Sequence, residues 1–482
     1  MTPEGAIPRS QYSDFTLSGS LGLRPAGNHS LFLTYQRSQA ENTGIPGGAP
    51  IALAATARYT LARRELIGAE YTIPNISPTV PLLSFRASRQ EIDRNVEIIQ
   101  SPTMTVTPHA THTTANIQVE SKVFLSKENS LTLGADLWQR ELESLRERFN
   151  SIKNEITEER PVPRSKYFNG GIYAQDEWLM PLSGATLVAG VRFDKISVTN
   201  DETWNPEYVI TNGIVESPPT GQTLLWPKGT ALNESWSANV GITCPLMDHL
   251  DVRVLTATAF RSPSLEERYQ FIDLGSIVRV GNPGLQPERS VGVNAGVSFH
   301  SDEVSVQSDF FLNQLSNLVT EISGSFEGRP AYIKTNIGES RLYGFELSGE
   351  KPVGDWGAGQ FSLAYVRGED TRNHVDLPQI PPVQGLIAMR AHNLSAGTVE
   401  VSSHFAFAKA NAAAGEISTG GYTVVGLAFT SIAVRAWEST LTLHAGVQNI
   451  FDKNYTNFLS TLRGEVRSEP GRGFYFSVSA AI

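Results

Sequence analysis

Along most of the chain apolar and polar residues alternate with a period of two, the spacing that sends successive side chains to opposite faces of an extended strand. From Leu441 onward, Leu443, Ala445 and Val447 share one face, and Thr442, His444, Gly446 and Gln448 the other. The last segment repeats the pattern, with Phe474, Phe476, Val478, Ala480 and Ile482 set against Tyr475, Ser477, Ser479 and Ala481. Comparable ladders are Leu187/Ala189/Val191/Phe193 opposite Gly190/Arg192/Asp194, Val252/Val254 opposite Asp251/Arg253, Phe361/Leu363/Tyr365 opposite Ser362/Ala364, and Val399/Val401/Phe405/Phe407 opposite Glu400/Ser402/His404. Helical spacing is scarce. Unbroken apolar runs are only a few residues long, far short of the roughly 18 that a membrane-spanning helix needs.

The links between these segments alternate in length. Short polar links are predicted at 24–29, 126–129, 180–184, 245–249, 300–303, 351–357, 393–397 and 435–439, with a middling one at 74–81. Between them fall long links at 39–51, 93–110, 144–165, 200–233, 261–287, 314–330, 369–382, 409–420 and 450–471. Short turns at one end, long loops at the other and strands that are apolar outside and polar inside are the signature of a transmembrane antiparallel β-barrel, an all-β fold. The count is about nineteen strands, whereas bacterial single-chain barrels have even numbers. With long links outside, the first segment descends and the last also ends on the periplasmic side. An odd number of strands, most simply three, is therefore expected to precede Met1 and complete a barrel of about 22. Residues 1–482 are read as one N-terminally incomplete barrel domain.

Composition agrees with this reading. The chain is 40% hydrophobic and 18% charged, below the roughly 45–50% and about 25% of average soluble proteins; strands that show one face to lipid and the other to a polar lumen explain both shortfalls. The net charge, 39 − 49 = −10, and the lack of a long Lys/Arg run argue against a nucleic-acid partner. One cysteine, Cys244, excludes an internal disulfide, and no zinc-type Cys/His spacing occurs. The start, Met1 to Arg9, has neither the basic region nor the apolar stretch of a secretory signal. Catalysis finds little support: no GxSxG, HExxH, P-loop or GxGxxG pattern appears.

Two motifs stand near the middle: Phe260-Arg261-Ser262-Pro263-Ser264-Leu265-Glu266-Glu267-Arg268-Tyr269, and Gly281-Asn282-Pro283-Gly284-Leu285-Gln286-Pro287-Glu288-Arg289-Ser290. The first reads as a strand end running into a short helix, with Pro263 at the first turn and Ser264/Glu267 as a capping box. The second is a Pro-braced turn that launches the next strand. Together they resemble the FRxPxxxE and GNPxLxPE signatures of TonB-dependent outer-membrane receptors. Further matches are Tyr173-Ala174-Gln175-Asp176-Glu177-Trp178, Gly190-Val191-Arg192-Phe193-Asp194, Asn336-Ile337-Gly338 leading to Gly344-Phe345-Glu346-Leu347, and Gly446-Val447-Gln448-Asn449-Ile450-Phe451-Asp452-Lys453-Asn454-Tyr455.

The resemblance implies a receptor in the bacterial outer membrane that imports a scarce ligand with energy from an inner-membrane TonB complex, contacted through a plug. Neither plug nor TonB-contacting box is seen in this sequence, and the chain ends on Ile482 rather than the family's usual Phe or Trp. A ferric siderophore is the expected small-molecule ligand, with cobalamin or a metal ion as alternatives. Haem is disfavoured because residues 262–282 hold no histidine. A passive porin-like channel, or a non-functional truncated receptor, are the alternative readings. No cofactor is expected. Outside-loop candidates for an anionic chelate are Trp204, Tyr208, Trp226 and Arg279, beside the reading that they pack their own loops. Met104, His109 and His112 form a weaker candidate set for copper or zinc. Arg261, Pro263, Glu267, Asn282, Pro283, Pro287 and Glu288 are assigned structural roles at strand ends, as are Asn449, Phe451, Asp452 and Tyr455.

Overall fold

The computed structural model describes residues 9–45, 56–274, 277–413, 416–436, 438–463 and 468–481. The expectations that concern Met1 to Pro8 and the terminal Ile482 lie outside the described residues. Among the described residues a single meander runs through β1 (Ser13–Leu23), β2 (Ser30–Ile45), β3 (Thr56–Ser77), β4 (Val80–Ser101), β5 (Met104–Phe124) and β6 (Asn129–Asn150). It continues through Ser165–Met180, Ala185–Asn200, Gly229–Met247, Leu250–Arg261, Glu288–His300, Ser305–Ser316 and Glu339–Val353. Gly357–Asp370, Gln384–Leu394, Gly397–Ala406, Tyr422–Ser431, Ser439–Gln448 and Gly473–Ala481 complete the nineteen. Each strand pairs antiparallel with the next in sequence, as in β1 with β2 and in Ser439–Gln448 with Gly473–Ala481. This is the transmembrane barrel wall that the alternation predicts. No helix among the described residues is long and apolar enough to cross a membrane.

Side-chain parity divides the wall into two faces. Phe15, Leu17, Leu21, Ile67, Ile117, Leu137, Ile172, Val191, Trp236, Phe310, Phe474 and Phe476 are exposed on the outer face and form an apolar belt. Registers keep the belt continuous: Ile117 lies opposite Leu137, and Phe193 opposite Trp236, their rings 4.8 Å apart. The inner face carries charge in pairs. Arg192 donates to Asp136 at 2.6 and 3.0 Å and to Asp194, Arg390 to Glu400 at 2.7 Å, and Arg253 to Asp309 at 3.1 Å. Tyr173 lies flat on this wall and donates to Glu120 at 2.7 Å. A Cβ at Gly134 would overlap the Tyr173 ring, so that position needs glycine.

Two predicted links are not loops. Residues 93–110 belong to β4 and β5, which turn over only Pro102 and Thr103, and 74–81 shrinks to a turn at Pro78 and Thr79. The reason lies in the polarity pattern. β3, β4 and β6 are each 22 residues long, about 70 Å at roughly 3.3 Å per residue, against a hydrocarbon core of about 30 Å. Their upper halves stand in water, where the outward face turns charged. Arg89–Glu91 at 3.0 Å, Arg37–Glu65 at 3.3 Å and Lys166–Glu141 at 2.9 Å stand directly above the belt. The inward face there turns apolar, with Val96, Ile98 and Val106. Inverted alternation in a charge-rich stretch looks like a loop when read against the rule for membrane strands.

The long links 261–287 and 314–330 hold structure of their own. A four-stranded sheet joins Phe271–Asp273, Val278–Val280, Arg329–Asn336 and Val319–Phe326, with Val278–Val280 parallel to residues 331–333. Long-range contacts show the wall curving round to meet it: Arg140 on β6 reaches Glu266, and Arg146 donates to the Asp273 carbonyl at 2.8 Å.

Neighbouring residues on β5 test the two faces. Ile117→Arg, at a belt position 63% exposed, is expected to destabilise the folded barrel in bilayers by about 2–4 kcal/mol. Asn116→Arg, facing the lumen, should cost far less; urea midpoints read by heat-modifiable electrophoresis decide between them.

Candidate functional site

The loop end is organised from the strand end Arg261 outward. Pro263 and Ser264 start α1 (Leu265–Tyr269), and the predicted capping box is formed: Ser264 Oγ accepts from the Glu267 N–H at 3.1 Å, and the Glu267 carboxylate accepts from the Ser264 N–H at 2.8 Å. Arg261 then clamps two carboxylates. Its guanidinium donates to Glu267 at 2.8 and 3.0 Å and to Glu288 at 2.6 Å through two nitrogens. Glu288 lies directly across the strand pair from Arg261 and also accepts from the Val319 N–H at 2.8 Å. Burial alone would push the Glu267 carboxyl up, but the hydrogen bonds from Arg261 and from the Ser264 backbone hold it below the ordinary carboxylate range.

The second motif closes onto the first. The Asn282 N–H donates to the Glu267 carbonyl at 3.0 Å, and the Asn282 side chain accepts from Gly284 N at 2.9 Å. Arg268, 2% exposed, donates to the Pro283 carbonyl at 2.7 Å. A Cβ at Gly281 would collide with the backbone of Arg268 and Tyr269, which is why this turn needs glycine. Pro287 precedes Glu288, and its carbonyl accepts from Asn317 at 3.5 Å. Asn336, of the Asn336-Ile337-Gly338 match, receives the Gln286 N–H at 2.9 Å and donates to the Gln286 and Asn317 carbonyls at 3.0 and 2.6 Å. These bonds set a cap over the wall, and its core holds Leu265, Tyr269, Phe271, Val278, Val280, Trp226, Val198 and Ala331.

The four outside-loop candidates take different positions at the loop end. Trp226 is 7% exposed and packs edge-on against Tyr269 in the core. Tyr208 donates its hydroxyl to Glu158, and this bond, with some burial, pushes the phenol up to about 12. Trp204 donates to Glu202 at 2.8 Å. The Arg279 guanidinium lies 5.8 Å above the Tyr332 ring. Met104, His109 and His112 lie on β5 and do not converge: His109 turns outward to Asn95 and Thr111, whereas His112 turns inward and accepts from Arg140 at 2.9 Å. Burial, with the Arg140 charge beside it, pulls the His112 imidazole down and favours its neutral form. Among the described residues no three His, Cys, Asp or Glu side chains are grouped to hold a metal ion. At the other strand end Asn449 is 3% exposed and bonds the Lys453 backbone at 2.8 and 2.9 Å, while Asp452 accepts from Arg472 N at 2.8 Å. Tyr455 packs 4.5 Å from Tyr422, and Phe451 is exposed.

Between cap and wall lies a cavity of about 620 Å³. Val96, Ile98, Val106, Pro108 and Leu142 of the upper wall and Ile272 and Leu274 of the cap line it, with Arg94, His112, Arg146 and Glu266 at its polar points. Arg146 is 6% exposed and stands 3.6 Å from Glu159, which burial pushes toward the neutral acid; Arg148 meets the same carboxylate at 2.8 Å. Arg94 was not singled out from the sequence; the signal that marks it is the inverted alternation of 93–110.

The clamp yields two expectations. Arg261→Ala leaves two carboxylates facing each other without their shared donor and should loosen the loop by roughly 1.5–3 kcal/mol, read as faster amide exchange across 262–287, with Arg261→Lys intermediate. Because the folded-state carboxyl of Glu267 lies below its ordinary value of 4.5, its contribution is full above that pH and is lost as pH falls through the lower folded value. Amide protection of α1 should therefore hold from neutral pH to about 4.5 and fall below it; protection unchanged to pH 2 would count against the clamp.

Sequence and structure comparisons agree with this geometry. The profile described as TonB dependent receptor-like, beta-barrel matches residues 8–450. Transferrin-binding protein A of Neisseria gonorrhoeae is 31% identical over 130 residues, 25% of this chain and only 13% of that protein, and its Neisseria meningitidis serogroup B counterpart is 31% identical over the same length and 14% of its own. The chain thus spans a small part of the curated relatives it matches. Among solved structures, the copper transporter OprC superposes with a TM-score of 0.78 at 16% identity, covering 98% of this chain and 72% of that one. The ferric citrate transporter FecA gives 0.75 at 14%, covering 98% and 70%, and the ferric yersiniabactin uptake receptor FyuA of Yersinia pestis 0.68 at 11%, covering 97% and 70%. At these identities the structures share the fold. With its family profile matched over most of its length, the chain belongs to the TonB-dependent receptors, as their β-barrel domain.

Proposed function

We propose that the chain is the barrel of a bacterial outer-membrane importer that takes up a scarce small-molecule ligand, a ferric siderophore in the first place, with energy drawn from a TonB complex through a plug. The observation that carries this reading is the cap of folded loops held over a lumen whose wall is lined with ion pairs such as Arg192–Asp136 and Arg390–Glu400. A polar lumen lets a hydrated or chelated solute pass where the apolar belt would exclude it, and a structured cap gives the ligand a surface to meet before entry. Membership of a family of transport receptors supports transport over catalysis. Arginines beside aromatic rings, as at Arg279 and Tyr332, suit anionic chelates. Cobalamin, or a bare metal ion, is the alternative cargo.

Deletion of the gene in its host is expected to abolish uptake of radio-iron supplied as ferric hydroxamate, ferric catecholate or ferric citrate, for at least one of the three. That uptake should be sensitive to a protonophore. Unchanged uptake of all three, together with a steady large conductance of the purified chain in planar bilayers, would replace the importer with a passive channel.

A further inference from the structure

We infer that the cavity between the upper wall and the cap is a binding site for an amphipathic organic anion, an apolar body carrying one acidic head, with Arg94 as the residue that receives the head. For its biological sense the assignment rests on the importer reading above; its test is a binding measurement, so the two can fail separately. Three observations carry it. The cavity, about 620 Å³, falls within the size range of small-molecule sites. Its walls are mostly aliphatic, with Val96, Ile98 and Val106 from strands β4 and β5 meeting Ile272 and Leu274 from the cap. A polyanionic, heavily hydrated chelate such as a citrate complex would lose its water against these side chains with nothing to replace it.

The third observation is charge. Around the cavity Arg94, Arg140, Arg146 and Arg148 face Glu159 and Glu266, while Asp273 is taken up by both nitrogens of Arg329 at 2.8 and 2.9 Å. That leaves a local surplus of positive charge in a chain of net charge −10. Arg140 is held by Glu266, and Arg146 and Arg148 by Glu159. Arg94 is the remaining one: it is exposed into the cavity, sits across the strand pair from Ala110, and has no ion pair or side-chain hydrogen bond among the described residues. An unpaired guanidinium beside aliphatic walls fits a carboxylate, sulfonate or phosphonate head joined to an apolar body.

The probes are anilinonaphthalene sulfonate and phenylnaphthylamine, which share a skeleton and differ by the acidic group. The full chain, refolded into nanodiscs of zwitterionic lipid, is titrated with each, and empty discs supply the baseline. Saturable sulfonate binding is expected, weakened about tenfold, or about 1.4 kcal/mol, by Arg94→Gln and largely restored by Arg94→Lys, with the neutral probe unaffected by either. Ala110→Trp, which fills the cavity from the wall, should remove saturable binding of both probes. Val96→Phe serves the same purpose if heat-modifiable electrophoresis shows that the first variant is unfolded. Equal binding of the two probes with no response to Arg94→Gln, or saturable binding that survives cavity filling, would overturn the assignment.

Discussion

Everything in this molecule follows from the demand that a backbone inside hydrocarbon must satisfy its own N–H and C=O groups, because lipid offers none in exchange. A meander in which each strand bonds the next meets that demand with local connections alone, and side chains are left to settle which face looks where. The belt of Ile67, Ile117, Leu137 and Ile172 and the inner ion pairs of Arg192, Arg253 and Arg390 are two readouts of one parity. A slip of one residue at any hairpin would exchange them, placing Arg192 in lipid and Val191 in the lumen. Register is therefore fixed by both faces at once.

The same parity meets a different solvent above the membrane. There β3 to β6 keep their pairing, but the outward face meets water and the inward face meets the cap, so the polar and apolar assignments trade places. This exchange is what creates an aliphatic cavity on the inner side of a wall that is otherwise polar. It also marks the outer edge of the belt, where Ile117 gives way within a few residues to Thr113 and Thr111, and Ile67 to Glu65 and Arg63.

Much of this was legible in the sequence, because period-two alternation and alternating link lengths are direct consequences of barrel topology. The nineteen strands, the capping box of Ser264 and Glu267, and the strand-end cap at Asn449 could all be read from local pattern. The upper halves of β4 and β5 could not, because their outward face meets water instead of lipid and the alternation there is inverted. Nor could the cap core, in which Trp226 meets Tyr269 and Val278 across separate loops, because those contacts join residues with no shared periodicity. The Arg94 cavity is hidden from sequence for both reasons: the alternation of its β4 and β5 wall is inverted, and its roof comes from a distant stretch of the chain.

What joins the two halves of the molecule is the placement of Arg261. It is the last residue of its strand, it pairs in register with Glu288 at the start of the next, and it holds Glu267 on the helix between them. One guanidinium therefore spans both ends of a loop and its middle, so the loop takes its position from the wall rather than from its own flexibility. Glu266, next to the clamped Glu267, reaches Arg140 on β6, and Ile272 and Leu274 follow a few residues on as the roof of the cavity. Loss of the clamp would free the roof while leaving the wall intact, because the strands are held by their own backbone ladder. The cavity is in this sense a product of barrel geometry: its floor is set by strand register, and its roof by an ion pair that the same register puts in place.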